Sequence, residues 1–406
     1  MPDSIAPRWL SVVGIGEDGV EGLGAAAQRA IASAAIVFGG RRHLALAAPL
    51  ITGEARAWPV PFDSGLSELR EMRGQRLCVL ASGDPFHFGV GVTLAHHLDP
   101  AEMAVFPAPS AFSLAAARLG WGLQDVETVS LHGRPIDLLR QLLHPGRRII
   151  ALTSDGAAPT AIAALMTALG FGASRLHILE AMGGPAEVHH TARAEALGSG
   201  NFHPLNALAI EVEAAPEARI LPLGFGLSDD LFEHDGQITK REIRAMTLAA
   251  LSPRRGELLW DIGAGSGSIG IEWMLNHPSL RAIAIEARED RAARARRNAA
   301  AFGTPGLTIL TGKAPEALAG LPSPDAIFIG GGGSQPGVVD AALAALRPGG
   351  RLVANAVTLE MEAVLLALYR QYGGELRRIG IARASAVGSL RGWREGMPVT
   401  QWAWVK

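Results

Sequence analysis

The stretch LLWDIGAGSGSIGIEW, Leu258–Trp273, runs an apolar strand into a glycine-rich turn and then into a helix. Its glycines are Gly263, Gly265, Gly267 and Gly270. In such a turn the backbone N–H groups and the positive end of the helix face an anion or a polar ligand, and the missing Cβ atoms let it approach closely. Glu286, in AIAIEARED, ends the next apolar run about twenty residues on, where an acidic side chain can bond ribose hydroxyls. A second Gly-x-Gly-x-x-Gly, made by Gly14, Gly16 and Gly19 in VVGIGEDGV, lies near the start of the chain. What each turn holds must be judged from its surroundings.

Outward from Leu258 the pattern repeats. ELLWDIG, RAIAIEA, LTILTG, DAIFIGG, RLVANAV and RRIGIARAS read as strands with helices between them, and VTQWAWVK ends the series. Upstream a separate series offers WLSVVGI, AAIVFG, RLCVLAS, MAVFPAP, RRIIALTS, RLHILEAM and NALAIEVE, with helices over 22–33, 88–98 and 157–169. Nearly all-apolar strands alternating with helices predict sheets covered on both faces, so each half is expected to be an α/β domain. The rhythm breaks in EAAPEARILPLGFGLSDDLFEHDGQ, at Pro216, Pro222 and the acidic cluster Asp229, Asp230, Glu233 and Asp235. The boundary is expected near 215–225, giving domains of residues 1–218 and 219–406.

A length of 406 residues fits two or three domains, and 48% hydrophobic with 19% charged residues fits a globular chain. The formal net charge of -2 speaks against a general polyanion binder. The single cysteine, Cys78, excludes internal disulfides and multi-cysteine metal sites and reads as a buried strand thiol. MPDSIAPRWL lacks the features of a signal peptide, and the apolar window AAPTAIAALMTALGFGA is broken by Pro159, so it reads as a packed helix rather than a membrane span. A reducing cytosol is the expected compartment. The pairs His96–His97 and His189–His190 put adjacent side chains on different faces and have no third ligand at a useful spacing, so no metal site is expected.

The glycine turn alone admits NAD or S-adenosylmethionine. Asp261, two residues before Gly263, completes D-x-G-x-G-x-G, which resembles motif I of the class I methyltransferases. GKAPEAL resembles their adenine-edge turn, with Gly312, Lys313 and Ala314, and DAIFIGGGG resembles their fourth strand end, where Gly330–Gly333 would leave space beside the reactive sulfonium. LRPGGRLVANAV resembles their fifth strand, with Asn355, and Thr239 is the remaining cofactor contact that the resemblance implies. The helix GQITKREIRAMTLAAL should bury Ile243, Met246 and Ala250 or Leu251, leaving Lys240, Arg241 and Arg244 on an outer face, either simply solvated or forming a lid over the cofactor that receives substrate carboxylates.

Near the N-terminal turn no acid ends the next strand. Instead ASGDPFHFGVGVTLA, with Gly83, Asp84, Pro85 and Gly89, resembles the GDPxxxG motif of the tetrapyrrole methylases. Their V-G-x-G-P-G motif is matched by Val13, Gly14 and Gly16, with Glu17 where the proline stands. PAPSAFSLAAARLGW matches their serine-bearing turn through Ser110 and Ser113, and LTSDGAAPTAIAALM a later strand, turn and helix.

These two folds in this order resemble the decarboxylating precorrin-6B methyltransferases of cobalamin biosynthesis, most specifically in VFGGRRHL, QITKREIRA and DIGAGSGSIGIEW. The resemblance implies a tetrapyrrole methylase fold followed by a Rossmann-like class I fold, and one S-adenosylmethionine per domain. It implies carbon-5 methylation by the first domain, with carbon-15 methylation and loss of the carbon-12 acetate carboxyl by the second, giving precorrin-8. It further implies a homo-oligomer with neither nucleic acid nor membrane as partner. Lys240, Arg244 and Glu272 are candidate catalytic residues from their nearness to motif I. Arg41, Arg42 and His43, with Arg383, Arg391 and Arg394, are candidate contacts for the many carboxylates of the substrate. Two rival readings remain: an RNA or protein methyltransferase with a non-catalytic N-terminal docking domain, and a nicotinamide oxidoreductase.

Overall fold

The computed structural model describes residues 8–406, so most of the N-terminal segment read for a signal peptide lies outside the described residues. Two compact units divide the chain, the first running to Ile136 and then over Leu142–Arg219, the second made of Asp137–Gln141 and Ile220–Lys406.

The first unit holds two sheets. Strands β1 (Leu10–Ile15), β2 (Ile36–Gly39), β3 (Glu54–Ala57), β4 (Leu77–Ser82) and β5 (Met103–Phe106) are all parallel, in the order β3-β2-β4-β1-β5. Alternation sorts their side chains. Leu10, Val12, Leu77 and Val79 join one core, while Val13, Ile15, Cys78 and Leu80 join the other. Strands β6 (Val126–Ser130), β7 (Arg148–Leu152), β8 (Arg175–Glu180), β9 (Val188–Arg193) and β10 (Asn206–Glu211) form a mixed sheet, in the order β6-β7-β10-β8-β9. The helix Ala111–Leu119 lies on this second sheet through Phe112, Ala115 and Ala116. Burial pushes the Cys78 thiol up to about 12, which leaves it a packing residue.

The second unit is one seven-stranded sheet, ordered β13-β12-β11-β14-β15-β19-β16. Its strands are β11 (Leu258–Ile262), β12 (Arg281–Glu286), β13 (Thr308–Thr311), β14 (Ala326–Ile329), β15 (Arg351–Ala356), β16 (Glu375–Ile379) and β19 (Val399–Val405). The first five are parallel, and β19 runs antiparallel to both β15 and β16. On β11, Leu258, Trp260 and Ile262 face one core layer and Leu259 the other, which holds Ile269, Ile271 and Trp273 of the helix Ser268–Leu275. A separate hairpin joins β17 (Ala382–Val387) to β18 (Leu390–Glu395).

Some elements depart from the sequence pattern. β3, β6, β9 and β18 carry mostly exposed or half-buried residues, so apolar runs do not reveal them. The helix Arg241–Leu251 buries Ile243, Arg244, Thr247, Leu248 and Leu251 and leaves Met246 39% exposed, so the expected stripe is rotated.

Gly14 sits where β1 meets the loop after β4. A Cβ there would lie 1.8 Å from the Gly83 carbonyl oxygen and 2.8 Å from the Ala108 nitrogen. Gly14→Ala is therefore expected to destabilise the first unit by about 3 kcal/mol, read as a lower midpoint in urea unfolding.

Candidate active site

In the first unit a cavity of about 660 Å³ opens at one end of both sheets. Residues that follow β1, β2, β4 and β5 wall it from one side: Gly16 and Glu17, Gly40, Gly83, and Ser110. Leu152 and Thr153 at the end of β7, and Asn206 at the start of β10, wall it from the other. Gly83 has φ +55°, and a Cβ on it would lie 2.8 Å from the Pro109 carbonyl oxygen. Ser110 caps the helix Ala111–Leu119 by accepting from the Ser113 N–H at 3.2 Å. Asp84 does not line the cavity; its carboxylate accepts from the Phe86 N–H at 2.8 Å and shapes the loop, while Pro85 is buried and Gly89 lines the wall.

Glu17, standing where the related motif has proline, forms an ion pair with Arg42. Arg42 donates to Ser82 Oγ at 2.8 Å and lies 2.9 Å from His43 Nε2, which is itself 2.7 Å from Ser82 Oγ. Burial and the neighbouring Arg42 guanidinium push the His43 imidazole down to about 4, so it is neutral near pH 7. Arg42 and His43 thus line the cavity, whereas Arg41 is exposed and does not. Gly14 and Ser113 also lie outside the lining.

The second unit holds a crevice of about 580 Å³ at the carboxyl ends of its parallel strands, where the order turns from β11 to β14. Gly263, Glu286, Gly312, Lys313, Ala314, Gly331 and Gly332 line it, each just beyond a strand or at its last residue. Gly263 has φ +75°, and a Cβ there would lie 2.6 Å from the Gly331 backbone. Glu286 accepts from the Gly265 N–H at 2.8 Å and the Arg288 N–H at 3.0 Å. The glycine turn is thereby tied to the acidic strand end. Gly265 has open space where a Cβ would stand, with only the Gln237 carbonyl oxygen 3.6 Å away, and Gly267 is the left-handed N-cap of the helix Ser268–Leu275. Asp261, Gly265, Gly267, Gly330, Thr239 and Asn355 lie outside the lining. Asn355 instead donates to Thr247 Oγ1 at 2.9 Å and accepts from Gln401 at 3.0 Å.

Asp261 is 1% exposed; one carboxylate oxygen accepts from the Gly270 N–H at 3.1 Å and the other is buried without a hydrogen-bond partner. Burial, aided by the negative Glu286, pushes its carboxyl up to about 7.

The expected catalytic trio separates. Lys240 is exposed at the N-cap of the helix Arg241–Leu251. Arg244 is fully buried, not on the outer face expected of it, and it pairs with the buried Glu272 and with Asp229. It also donates to the Leu227 and Thr239 carbonyls and lies over the Phe232 ring. Glu272 accepts from the Gly226 N–H at 2.7 Å and the Leu227 N–H at 3.1 Å. These two side chains hold segment 226–239 to the sheet-covering helices, and neither lines the crevice. In the hairpin, Arg383 pairs with Glu242, while Arg391 and Arg394 are exposed. Among the described residues, no group of three or more His, Cys, Asp or Glu is placed to hold a metal ion.

Sequence reasoning missed Ser82, His132 and Arg134 in the first cavity, and Arg291 and Gln335 in the second. Arg291 is held by Asp235 at 2.9 Å and Gln237 at 2.6 Å. The polar triplet His132-Gly133-Arg134 directly beyond a strand was the available signal for the first set; nothing local marked the second.

The two crevices and their sheet orders define a pair of methyltransferase folds, a tetrapyrrole methylase followed by a class I enzyme of the S-adenosylmethionine-dependent type. Family models agree: residues 10–198 match tetrapyrrole (corrin/porphyrin) methylases, and residues 230–406 match a precorrin methyltransferase domain. A Sinorhizobium precorrin-6Y C(5,15)-methyltransferase [decarboxylating] is 61% identical over 99% of this chain and 98% of its own. Its Mycobacterium tuberculosis (strain CDC 1551 / Oshkosh) counterpart is 41% identical over 98% of this chain and 100% of its own. The crystal structure of the C-terminal domain of precorrin-6Y C5,15-methyltransferase from Rhodobacter capsulatus is 50% identical, covering 46% of this chain and 100% of that chain at a TM-score of 0.44. The chain belongs to the family of decarboxylating precorrin-6Y C(5,15)-methyltransferases.

Two outcomes test this geometry. The Asp261 carboxyl ionises near pH 3.8 when unfolded and near pH 7 when folded, so between these values the folded chain holds the extra proton. Its contribution to stability falls as pH rises through that window, and Asp261→Asn should flatten the slope in thermal unfolding of the cofactor-free protein. Glu272→Gln, which leaves the Arg244 charge buried without its main partner, should cost about 3 kcal/mol in chemical denaturation.

Proposed function

We propose that the chain is a bifunctional C-methyltransferase of cobalamin biosynthesis, with one S-adenosylmethionine in each unit. The first unit methylates carbon 5 of a precorrin. The second methylates carbon 15 and removes the carbon-12 acetate carboxyl. The reading includes a cytoplasmic homo-oligomer that acts on a free tetrapyrrole, with neither nucleic acid nor membrane as partner.

The observation that carries it is a crevice at the strand ends of each unit, with glycines at the strand exits, of about 660 and 580 Å³. The residues fit a nucleoside bearing an amino acid. In the second unit Gly263 and Lys313–Ala314, which line the crevice, would hold it together with the Gly265–Gly267 turn, Glu286 would meet the ribose, and Asp261 keeps an unpartnered oxygen at the foot of the turn. In the first, Gly16, Gly83, Gly89 and Ser110 would hold it. The cofactor supplies an electrophilic methyl group on a sulfonium.

The protein's own task is to hold a nucleophilic ring carbon in line at about 3–3.5 Å, worth roughly 7–11 kcal/mol of barrier without a covalent protein intermediate. Arg42 and Arg134 in the first cavity give substrate carboxylates cationic donors. For the decarboxylation the electron pair left by carbon dioxide passes into the conjugated ring, so the substrate itself is the sink.

Titration calorimetry of the whole chain should give two S-adenosylmethionine sites. Asp84→Ala, which frees the Phe86 N–H, should weaken the first by about tenfold, and Gly265→Arg, whose side chain fills open space in the turn, should abolish the second. One substitution emptying both sites would refute the reading.

A further inference from the structure

A methine carbon that gains a methyl group must afterwards release its hydrogen. The new C–C bond forms from ring π electrons, the C–S electron pair stays on sulfur, and the ring carries one positive charge. Neutrality returns when a base takes the proton and the C–H pair goes back into the ring. For carbon 5 that base must line the first cavity.

The titratable side chains there are Glu17, Arg42, His43, His87, His132 and Arg134. The two arginines have no lone pair to offer. Glu17 is engaged by Arg42. A guanidinium only donates, so the contact with Arg42 makes His43 Nε2 an acceptor whose lone pair is already used, and His43 Nδ1 is buried without a partner. His87 lies against Phe112 with ring centroids 4.6 Å apart and beside Phe88, and these ring contacts do not fix its tautomer.

His132 differs in two respects. Its Nδ1 lies 3.1 Å from the Thr153 carbonyl oxygen, which can only accept. Nδ1 therefore carries the hydrogen, and Nε2 keeps a free lone pair. Its mount is also stiff. Leu131 N–H donates to the Leu152 carbonyl at 2.8 Å, and Arg134 N–H closes a turn on the Leu131 carbonyl at 3.1 Å. Ser154 Oγ accepts from the Gly133 N–H at 3.0 Å and donates to the Leu131 carbonyl at 3.0 Å. Gly133, at φ +66°, supplies the left-handed residue the turn requires. Thr153 is tied in turn to Asn206 Oδ1 at 2.7 Å.

Resting on the reading of the first unit as a carbon-5 methylase, we propose that His132 is its catalytic base, taking the carbon-5 proton on Nε2. The exposed position of His132 lets that proton pass to water.

The test uses the full chain, precorrin-6Y and methyl-labelled S-adenosylmethionine, with the label at carbon 5 followed in single turnovers. His132→Ala should lower the rate at saturating substrate by about a hundredfold, while the cofactor affinity of the first site stays within about twofold. Added imidazole should restore part of the rate, and His132→Asn, which lacks a basic nitrogen, should stay slow. A His132→Ala rate within about threefold of the unsubstituted chain, or a loss confined to KM without imidazole rescue, would overturn the assignment. If the unsubstituted chain puts no label on carbon 5, the reading of the first unit fails, and the base with it.

Discussion

Both crevices depend on one steric constraint: where the first strand of each parallel set ends, the backbone of a neighbouring loop passes too close for any side chain. Gly14 meets the Gly83 carbonyl in the first unit, and Gly263 meets the Gly331 backbone in the second. In each, β1 or β11 is flanked by the strand whose exit loop makes that approach, β4 or β14. Removing the Cβ lets two exit loops lie against one another, so that the hollow beyond them meets main chain at the strand exits as well as the side chains that line it. Main-chain walls present N–H groups without the entropy cost of ordering long side chains. The same device therefore serves two sheets of different topology.

Charge is arranged around these hollows in layers. The buried Arg244–Glu272 pair is satisfied by backbone groups of segment 226–227 and by Asp229, so its work is to anchor chain that crosses near the glycine turn. Breaking either partner leaves an ion in an apolar layer with Phe232 and Ile269, which is why such a pair is costly to disrupt even where it adds little net stability. Asp261 is the contrasting case. With one N–H donor and one unpartnered oxygen it is held short of full solvation, and burial raises its pKa so that it keeps its proton more readily than a solvated aspartate. In the first unit the Glu17–Arg42–His43–Ser82 cluster neutralises its own charge, and His132 stands apart from it with a lone pair to spare.

The parallel strands at the heart of both units were legible because they are nearly unbroken apolar runs: β1, β4, β11, β12 and β14 each follow a quoted stretch closely. The edge strands β3 and β9 were not. An edge is paired on one side and wet on the other, so its residues carry no apolar signature. The glycine turns and Glu286 were legible for the same reason as the core, since the chemistry is local. Arg244 was misread because a helix pattern assigns charges to the solvent face, whereas here a salt bridge from one helix to the next compensates the burial. Met246 was displaced outward by the same rotation.

Taken alone, the order of residues determined that two α/β units follow one another, that each opens with a glycine turn after a buried strand, and that an acid stands at the next strand end of the second. Those are short-range facts, governed by strand alternation and by glycine's access to backbone conformations closed to other residues. Only the folded chain decided which side chains share a cavity. Arg42 and His43 face the hollow while Arg41 does not, and Glu272 is sealed beneath a crossing segment. Likewise His132 reaches the wall opposite Gly83 because β6 and β7 end beside the exits of a different sheet. Such meetings join residues far apart along the chain, and their energy resides in packing that no local pattern encodes.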